Sequence, residues 1–250
     1  MVPETFDARV VHTRPLSPSV REIGFARVDG APFDFEPGQW VSVILEAHAG
    51  DPLTEVRRAY SVASPPRGDP SFELAVTRVT EGAASNALHA LPVGAVVRVI
   101  GPQGFFTRPL ETAAPSLLIG TGTGLAPLRS MLLSAVRARP HASERVPMWL
   151  LFGGRQEHDL LYGDELAALA ATDDAVRVEQ TLSRASDAWR GRRGYVQAHA
   201  RELYEELARS VAVPPHVYVC GLERMVGAVR TLLRKEMGLP RQLVHSERYD

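Results

Sequence analysis

The stretch from Ser116 to Leu132 constrains the fold of this chain more than any other. Leu117–Ile119 reads as a short buried strand. Gly120, Gly122 and Gly124 then alternate with Thr121 and Thr123, and Pro127 opens an amphipathic run with Leu128, Met131, Leu132, Ala135 and Val136 at helical spacing. A strand that turns through glycines into a helix headed by proline is a phosphate cradle: the glycines let the backbone approach a ligand, the first helical N–H groups point at it, and the helix dipole favours negative charge. The order G-x-G-x-G-x-A-P departs from the G-x-G-x-x-G dinucleotide fingerprint, because Leu125 stands where the last glycine would fall. An ordinary strand-to-helix turn uses the same glycines, so the rest of the chain has to decide between the two.

At 250 residues, the chain suits one large domain or two of ordinary size, and 45% hydrophobic with 23% charged residues is the balance of a soluble globular protein. A net charge of −1 argues against nucleic acid as the main partner. No apolar run is long enough to span a bilayer, and Glu4 and Asp7 do not suit a signal peptide, so no membrane partner and a cytoplasmic location are expected. The single cysteine, Cys220, excludes an intramolecular disulfide framework and a cluster held by four cysteines of this chain. The histidines show neither HxxxH nor H-E-x-x-H spacing, and no metal is expected.

Six runs rich in β-branched residues precede the glycine stretch: Ala8–His12, Val20–Val28, Trp40–Leu45, Ala59–Ala63, Phe72–Val79 and Val96–Ile100. Prolines and glycines cut them, and Ser85–Leu91 is a helical insert. The pattern predicts a six-stranded antiparallel β-barrel over residues 1–110. Beyond a Pro-marked linker, Thr107–Pro115, strands at Leu117–Ile119, Met148–Phe152, Val176–Glu179, Val217–Cys220 and Leu243–Val244 alternate with helices at Pro127–Arg139, Asp164–Ala171, Val196–Arg209 and Arg224–Met237. This predicts a doubly wound, parallel, five-stranded α/β sheet over residues 111–250, with ligands at the carboxyl ends of its strands.

In the barrel half, Arg58 and Tyr60 share one face of a strand, with Ala59 and Ser61 on the other. Arginine offers a fork for phosphate, tyrosine a flat face for a ring system, and serine a small donor; a half-exposed strand with a surface arginine fits the same residues. In Gly82-Ala83-Ala84-Ser85-Asn86-Ala87-Leu88-His89, Ser85 suits a helix cap whose N–H groups face an anion, or a simple cap.

The order of the motifs is more telling than any one of them. Pro37-Gly38-Gln39, RAYS, GAAS-x-x-LH, GPxGxF, GTGTGLAP and CG follow one another over about Phe35 to Tyr249, and this resembles the ferredoxin–NADP(H) reductase superfamily. The resemblance implies an FAD-binding barrel. Arg58 would hold the pyrophosphate, Tyr60 stack on the isoalloxazine and Ser61 hydrogen-bond near flavin N5. Ser85 and the backbone of Gly82, Ala83 and Ala84 would take the flavin phosphates, with Val76 and Arg78 near the ribityl and adenylate portion.

It further implies that Gly120 to Pro127 receives the nicotinamide dinucleotide, Gly120, Thr121, Gly122 and Gly124 forming the turn and Thr123 lying near the nicotinamide end. Cys220 and Gly221 would pack beside the nicotinamide ring without forming a covalent bond, although a buried structural cysteine is the commoner fate of a lone thiol. Glu247 would lie near the flavin–nicotinamide contact and Tyr249 would cover the flavin face, with Asp250 as one residue more than the plant-type ending; a frayed polar terminus is the plain alternative. Ser61, Cys220 and Glu247 are the expected catalytic set. Ser183, Arg184, Arg192 or Arg193, and Tyr195 suit an adenosine 2′-phosphate and favour NADPH, while Trp189-x-Gly191-x-x-Gly194 also resembles NADH-linked oxygenase reductases. The expected protein is a monomeric FAD reductase passing electrons from NADPH to a separate ferredoxin or flavodoxin. The alternatives are an NADH-linked reductase of an oxygenase or cytochrome, a free-flavin reductase, and a non-catalytic FAD electron-transfer subunit.

Overall fold

A computed structural model describes residues 2–46, 55–109, 112–138 and 145–249. The expected domain boundary at Leu110 and Glu111, the helix end at Arg139 and the terminal Asp250 lie outside the described residues. The chain divides into two compact units, residues 1–110 with Arg129–Ser134, and residues 111–128 with 135–250.

The first unit is built from β1 (Glu4–Pro15), β2 (Val20–Arg27), β3 (Trp40–Glu46), β4 (Glu55–Ser61), β5 (Ser71–Thr77) and β6 (Val96–Gln103), with α1 (Ala83–Ala90) between the last two. The strands form one antiparallel sheet in the order β4-β3-β6-β1-β2-β5. A bridge from Val62 to Leu74 and the Ala63 N–H bonded to the Glu73 carbonyl at 2.8 Å draw its two outer strands together, curling the sheet towards a barrel. Strand alternation fills it: Phe6, Ala8 and Val10 of β1 point inward while their neighbours stay exposed. Phe6, Phe25, Phe33, Phe35 and Phe72 meet there with ring centroids 4.7 to 6.2 Å apart, edge-on, tilted and stacked. Such pairs contribute about 0.5–1.5 kcal/mol each beyond the area they bury.

The second unit runs β7 (Ser116–Thr121), α2 (Leu125–Ala138), β8 (Met148–Gly154), α3 (Gly163–Thr172), β9 (Val176–Leu182), β10 (Arg192–Arg193), α4 (Gln197–Ser210), β11 (His216–Leu222), α5 (Glu223–Thr231) and β12 (Val244–Tyr249). Every pair is parallel, in the order β10-β9-β8-β7-β11-β12. Leu117, Leu118 and Ile119 are all fully buried, as a strand covered on both faces requires. On one face Leu117, Ile119, Val217 and Val219 pack with Ala200, Leu203 and Leu207 of α4 and Val226 and Val229 of α5.

Three expectations change. The sheet has six strands, not five, because β10 is a two-residue arginine pair too short and too polar to show as a strand pattern. The last strand runs to Tyr249 instead of stopping at Val244, so the described tail is paired with β11 from Val217↔Val244 to Leu222↔Tyr249. An edge strand needs no hydrophobic run, and this one is anchored by rings: Tyr218 stacks on His245 at 4.6 Å, and His245 Nε2 shares a proton with His216 Nδ1 at 3.0 Å. Finally, α2 begins at Leu125, two residues before Pro127; the proline still lies in the first turn, where a missing N–H costs nothing.

Candidate active site

In the parallel sheet, β7 is followed in sequence by strands on one side of it and by β11 and β12 on the other. Such a reversal marks the carboxyl ends of β7 and β11 as the place where ligands of such sheets bind. The glycine turn lies there. Gly122 adopts φ +54°, a left-handed conformation that favours glycine, within a short 3-10 turn over Gly122–Gly124. Gly124 is required for a different reason: a Cβ there would stand 2.3 Å from the Cys220 carbonyl oxygen, so the turn is packed directly against the backbone of β11. The Thr121 hydroxyl is buried with no hydrogen-bond partner among the described residues.

Cys220 and Glu247 stand opposite each other in register on β11 and β12. Burial, reinforced by the Glu247 charge, pushes the Cys220 thiol up, so it stays protonated and is a poor nucleophile. Burial alone raises the Glu247 carboxyl to about 7, which lets it gain or lose a proton near neutrality.

Tyr249 is engaged within its own unit. Its hydroxyl donates to the Thr121 carbonyl at 2.7 Å and accepts from the Gly124 N–H at 2.8 Å. Burial raises the phenol to about 12. The amide of Gly124 is therefore satisfied by the chain's own tyrosine, a link that motif reading did not reveal because it joins residues 125 positions apart.

At the ends of β8 and β9, the Ser183 N–H bonds to the Gly154 carbonyl at 3.1 Å and the Arg184 N–H to the Arg155 carbonyl at 2.8 Å. This sets Arg155, which sequence reading missed, beside Arg184, and both side chains are exposed. Only the parallel pairing of β8 with β9 brings them together; no local motif marks Arg155. Tyr195 is exposed just after Gly194, whose N–H bonds to Leu182. Arg192 and Arg193 are committed elsewhere. Arg192 is held by Glu179 at 3.0 Å and by Glu202 at 2.8 and 3.1 Å, and these carboxylates raise its pKa further. Arg193 donates to the carbonyls of Ala185, Ser186 and Trp189 and ties down its own loop. Of the pair expected at a 2′-phosphate, Arg192 is thus paired with carboxylates, whereas Arg193 meets only carbonyl oxygens among the described residues and keeps its charge unneutralised by them.

In the barrel unit, Arg58 and Tyr60 pair across from Val43 and Val41 and so share one face of β4, while Ser61 pairs with Trp40. The Tyr60 ring packs on the barrel core, and burial raises its phenol while the Arg58 charge opposes that rise. The Arg58 guanidinium is exposed and, among the described residues, donates only to the neighbouring Arg57 carbonyl, at 2.9 Å. Helix α1 begins at Ala83 after Gly82, with no side-chain cap and no acidic residue in its first turn. Ser85 is thus the third residue of the helix and not its cap; its hydroxyl accepts from the Val79 N–H and donates to the Gly82 carbonyl, both at 3.0 Å. Arg78 is tied to Asn86 at 2.9 Å. The Val76 side chain is wholly buried and its carbonyl meets His89 Nε2 at 2.9 Å, which leaves that side chain no exposed face.

These donor sets fit dinucleotides. The barrel offers an uncommitted guanidinium, a ring face and an uncapped helix N-terminus; the sheet offers a glycine turn with an orphaned, buried hydroxyl. No group of three His, Cys, Asp or Glu among the described residues is arranged for a metal ion, and no helix among them is long and apolar enough to cross a membrane.

A barrel and a switch-point sheet of this composition define a flavin- and nicotinamide-dependent oxidoreductase. Residues 7–107 match the oxidoreductase FAD-binding domain and residues 118–231 the oxidoreductase NAD-binding domain. The chain is 55% identical over 248 residues to "Ferredoxin--NADP reductase B" of Sorangium cellulosum, covering 99% of this chain and 98% of that one. It therefore belongs to the ferredoxin–NADP(H) reductase superfamily. "NADH-cytochrome b5 reductase 1" of Aspergillus terreus is 29% identical over 77% of this chain and 64% of that one. Among solved structures, "Ferredoxin reductase in carbazole 1,9a-dioxygenase" shares the fold with a TM-score of 0.83 at 24% identity, covering 100% of this chain and 70% of that chain.

Proposed function

We propose that this protein takes a hydride from NADPH and passes electrons to a separate ferredoxin-type carrier, with FAD bound by residues 1–110 and the nicotinamide dinucleotide by residues 111–250. The observation that supports it most is the meeting of the glycine turn, Cys220 and Glu247 at the carboxyl ends of β7, β11 and β12. The relative from Sorangium cellulosum, similar over almost its full length, supports the choice of donor and acceptor. FAD, when bound, accepts two electrons as hydride and releases them singly.

The chain's own residues do the rest. In this reading Arg58 pairs with the flavin pyrophosphate, the α1 N-terminus at Gly82–Ser85 receives phosphate, Tyr60 supplies a ring face, and Ser61 donates near flavin N5. Cys220 stays a neutral thiol that positions the nicotinamide ring by packing, and Glu247 holds or yields a proton beside it. Ser183, Arg184 and Arg155 receive the 2′-phosphate, with Tyr195 against the adenine. The single cysteine is consistent with an acceptor that brings its own redox centre. Ferredoxin is preferred to flavodoxin, and a cytoplasmic monomer to an assembly. An NADH-linked reductase is the second reading, favoured by the commitment of Arg192 and Arg193 to internal partners.

Anaerobic stopped-flow mixing with NADPH and NADH in parallel, followed by flavin absorbance, tests the reading. Fast bleaching by NADPH, slowed in the Arg155→Gln/Arg184→Gln variant at limiting NADPH, is expected. Equal or faster bleaching by NADH selects the second reading, and no bleaching by either nucleotide refutes both.

A further inference from the structure

We propose that a concavity beside β12 is a second anion site, built for a small molecule carrying two or more phosphate groups and separate from the glycine turn. It encloses about 390 Å³ and is lined by Arg230, Arg234, Arg241, Val244 and Ser246. Arg230 comes from α5, Arg234 from the π turn Leu232–Glu236 that continues it, Arg241 from the short turn before β12, and Val244 and Ser246 from β12 itself. Alternate strand residues point to opposite faces, so Val244 and Ser246 lie on the side away from His245, Glu247 and Tyr249. The cavity is thus on the other face of the sheet from the Cys220–Glu247 pair.

Three arginines line it, with no carboxylate among the lining residues. Of the acids on α5 and the π turn, Glu223 pairs with Arg248 and Glu236 with Arg201 at 3.5 Å, while Glu247 of β12 lies on the opposite face of the sheet. Arg230 and Arg234 are four residues apart on one helical run, a like-charge spacing that costs stability when nothing negative lies between. Arg234 is oriented by its bond to the Leu239 carbonyl, whereas the Arg230 and Arg241 guanidiniums have no hydrogen bond or ion pair among the described residues. In a chain of net charge −1, such a cluster does not follow from general basicity.

Guanidinium forks match phosphate oxygens two at a time, and the Ser246 hydroxyl adds a donor on the wall. The volume lies near the small end of ligand pockets, suited to a diphosphate or triphosphate group and too small for a whole dinucleotide. The π turn at its rim belongs to a class of helix irregularity frequently found at functional sites.

Calorimetric titration of the FAD-loaded protein with inorganic pyrophosphate, in saturating NADP+ so that the glycine turn is filled, tests the proposal. One binding site is expected, weakened about tenfold or more in Arg230→Gln/Arg241→Gln and unchanged in Arg184→Gln. Both arginines are exposed, so the double variant should keep the wild-type melting temperature, and near-ultraviolet circular dichroism confirms its fold. No pyrophosphate binding, binding that survives the double variant, or equal weakening in both variants would overturn the proposal.

Discussion

Glu247 faces Cys220 from the adjacent strand, and its carboxyl is raised from the ordinary 4.5 to about 7 by burial. The folded chain therefore keeps a proton that the unfolded chain has already lost. Stability from the neutral acid is fully present below 4.5 and is lost as pH rises through about 7. We expect Glu247→Gln to flatten the fall in the urea midpoint between about pH 5 and pH 8; a variant with the wild-type slope would show that another group titrates there. Tyr249 lends itself to a second test. Its hydroxyl takes the Gly124 N–H, a donor the dinucleotide would otherwise meet. Tyr249→Phe should tighten NADP+ binding by about 2- to 10-fold, the worth of one net hydrogen bond. Weaker binding, measured by calorimetry, would mean that the phenol assists the ligand instead of competing with it.

The glycine turn separates two reasons for a glycine. A Cβ at Gly122 would meet only the Tyr249 hydroxyl, at 3.3 Å, so Gly122→Ala carries the left-handed backbone cost of about 1–2 kcal/mol. At Gly124 the obstacle is main chain, the Cys220 carbonyl oxygen at 2.3 Å, and Gly124→Ala must push α2 and β11 apart. Denaturant titration should find Gly124→Ala the more destabilising of the two, by about 1 kcal/mol or more. The reverse order would show that the turn can shift away from β11. The element pattern itself was legible where burial follows a period: the barrel strands alternate, and β7, β8 and β11 are nearly continuous apolar runs. It was not legible at β10 or in β12 beyond Val244, where polar residues become strand through backbone pairing at the sheet margin.

For the molecule as a whole, the barrel's stability is expected to be coupled to its flavin. Ligand that binds only the folded state stabilises by about 2.7 kcal/mol at a hundredfold excess over Kd. FAD added to the stripped protein should thus raise its melting temperature. Arg58→Gln, on an exposed side chain with one main-chain contact, should remove most of that rise while leaving the flavin-free melting temperature unchanged. A full rise in the variant would return Arg58 to the role of a surface residue on β4.

The sequence by itself determined the two architectures, the chain order of the motifs and the family, because these depend on periodicity and on glycine, proline and arginine at fixed spacings. Tertiary structure alone decided which of those side chains remain available. Arg192 and Arg58 are both arginines in a recognised motif, yet Glu179 and Glu202 enclose one, while the other, among the described residues, bonds only to a neighbouring carbonyl. Arg155 joins Arg184, Glu247 meets Cys220 and Tyr249 closes on Gly124 because parallel strands bring distant residues into register. Spacing along the chain carries no record of such pairings, since hydrogen bonds between strands are set by the sheet and not by the segment.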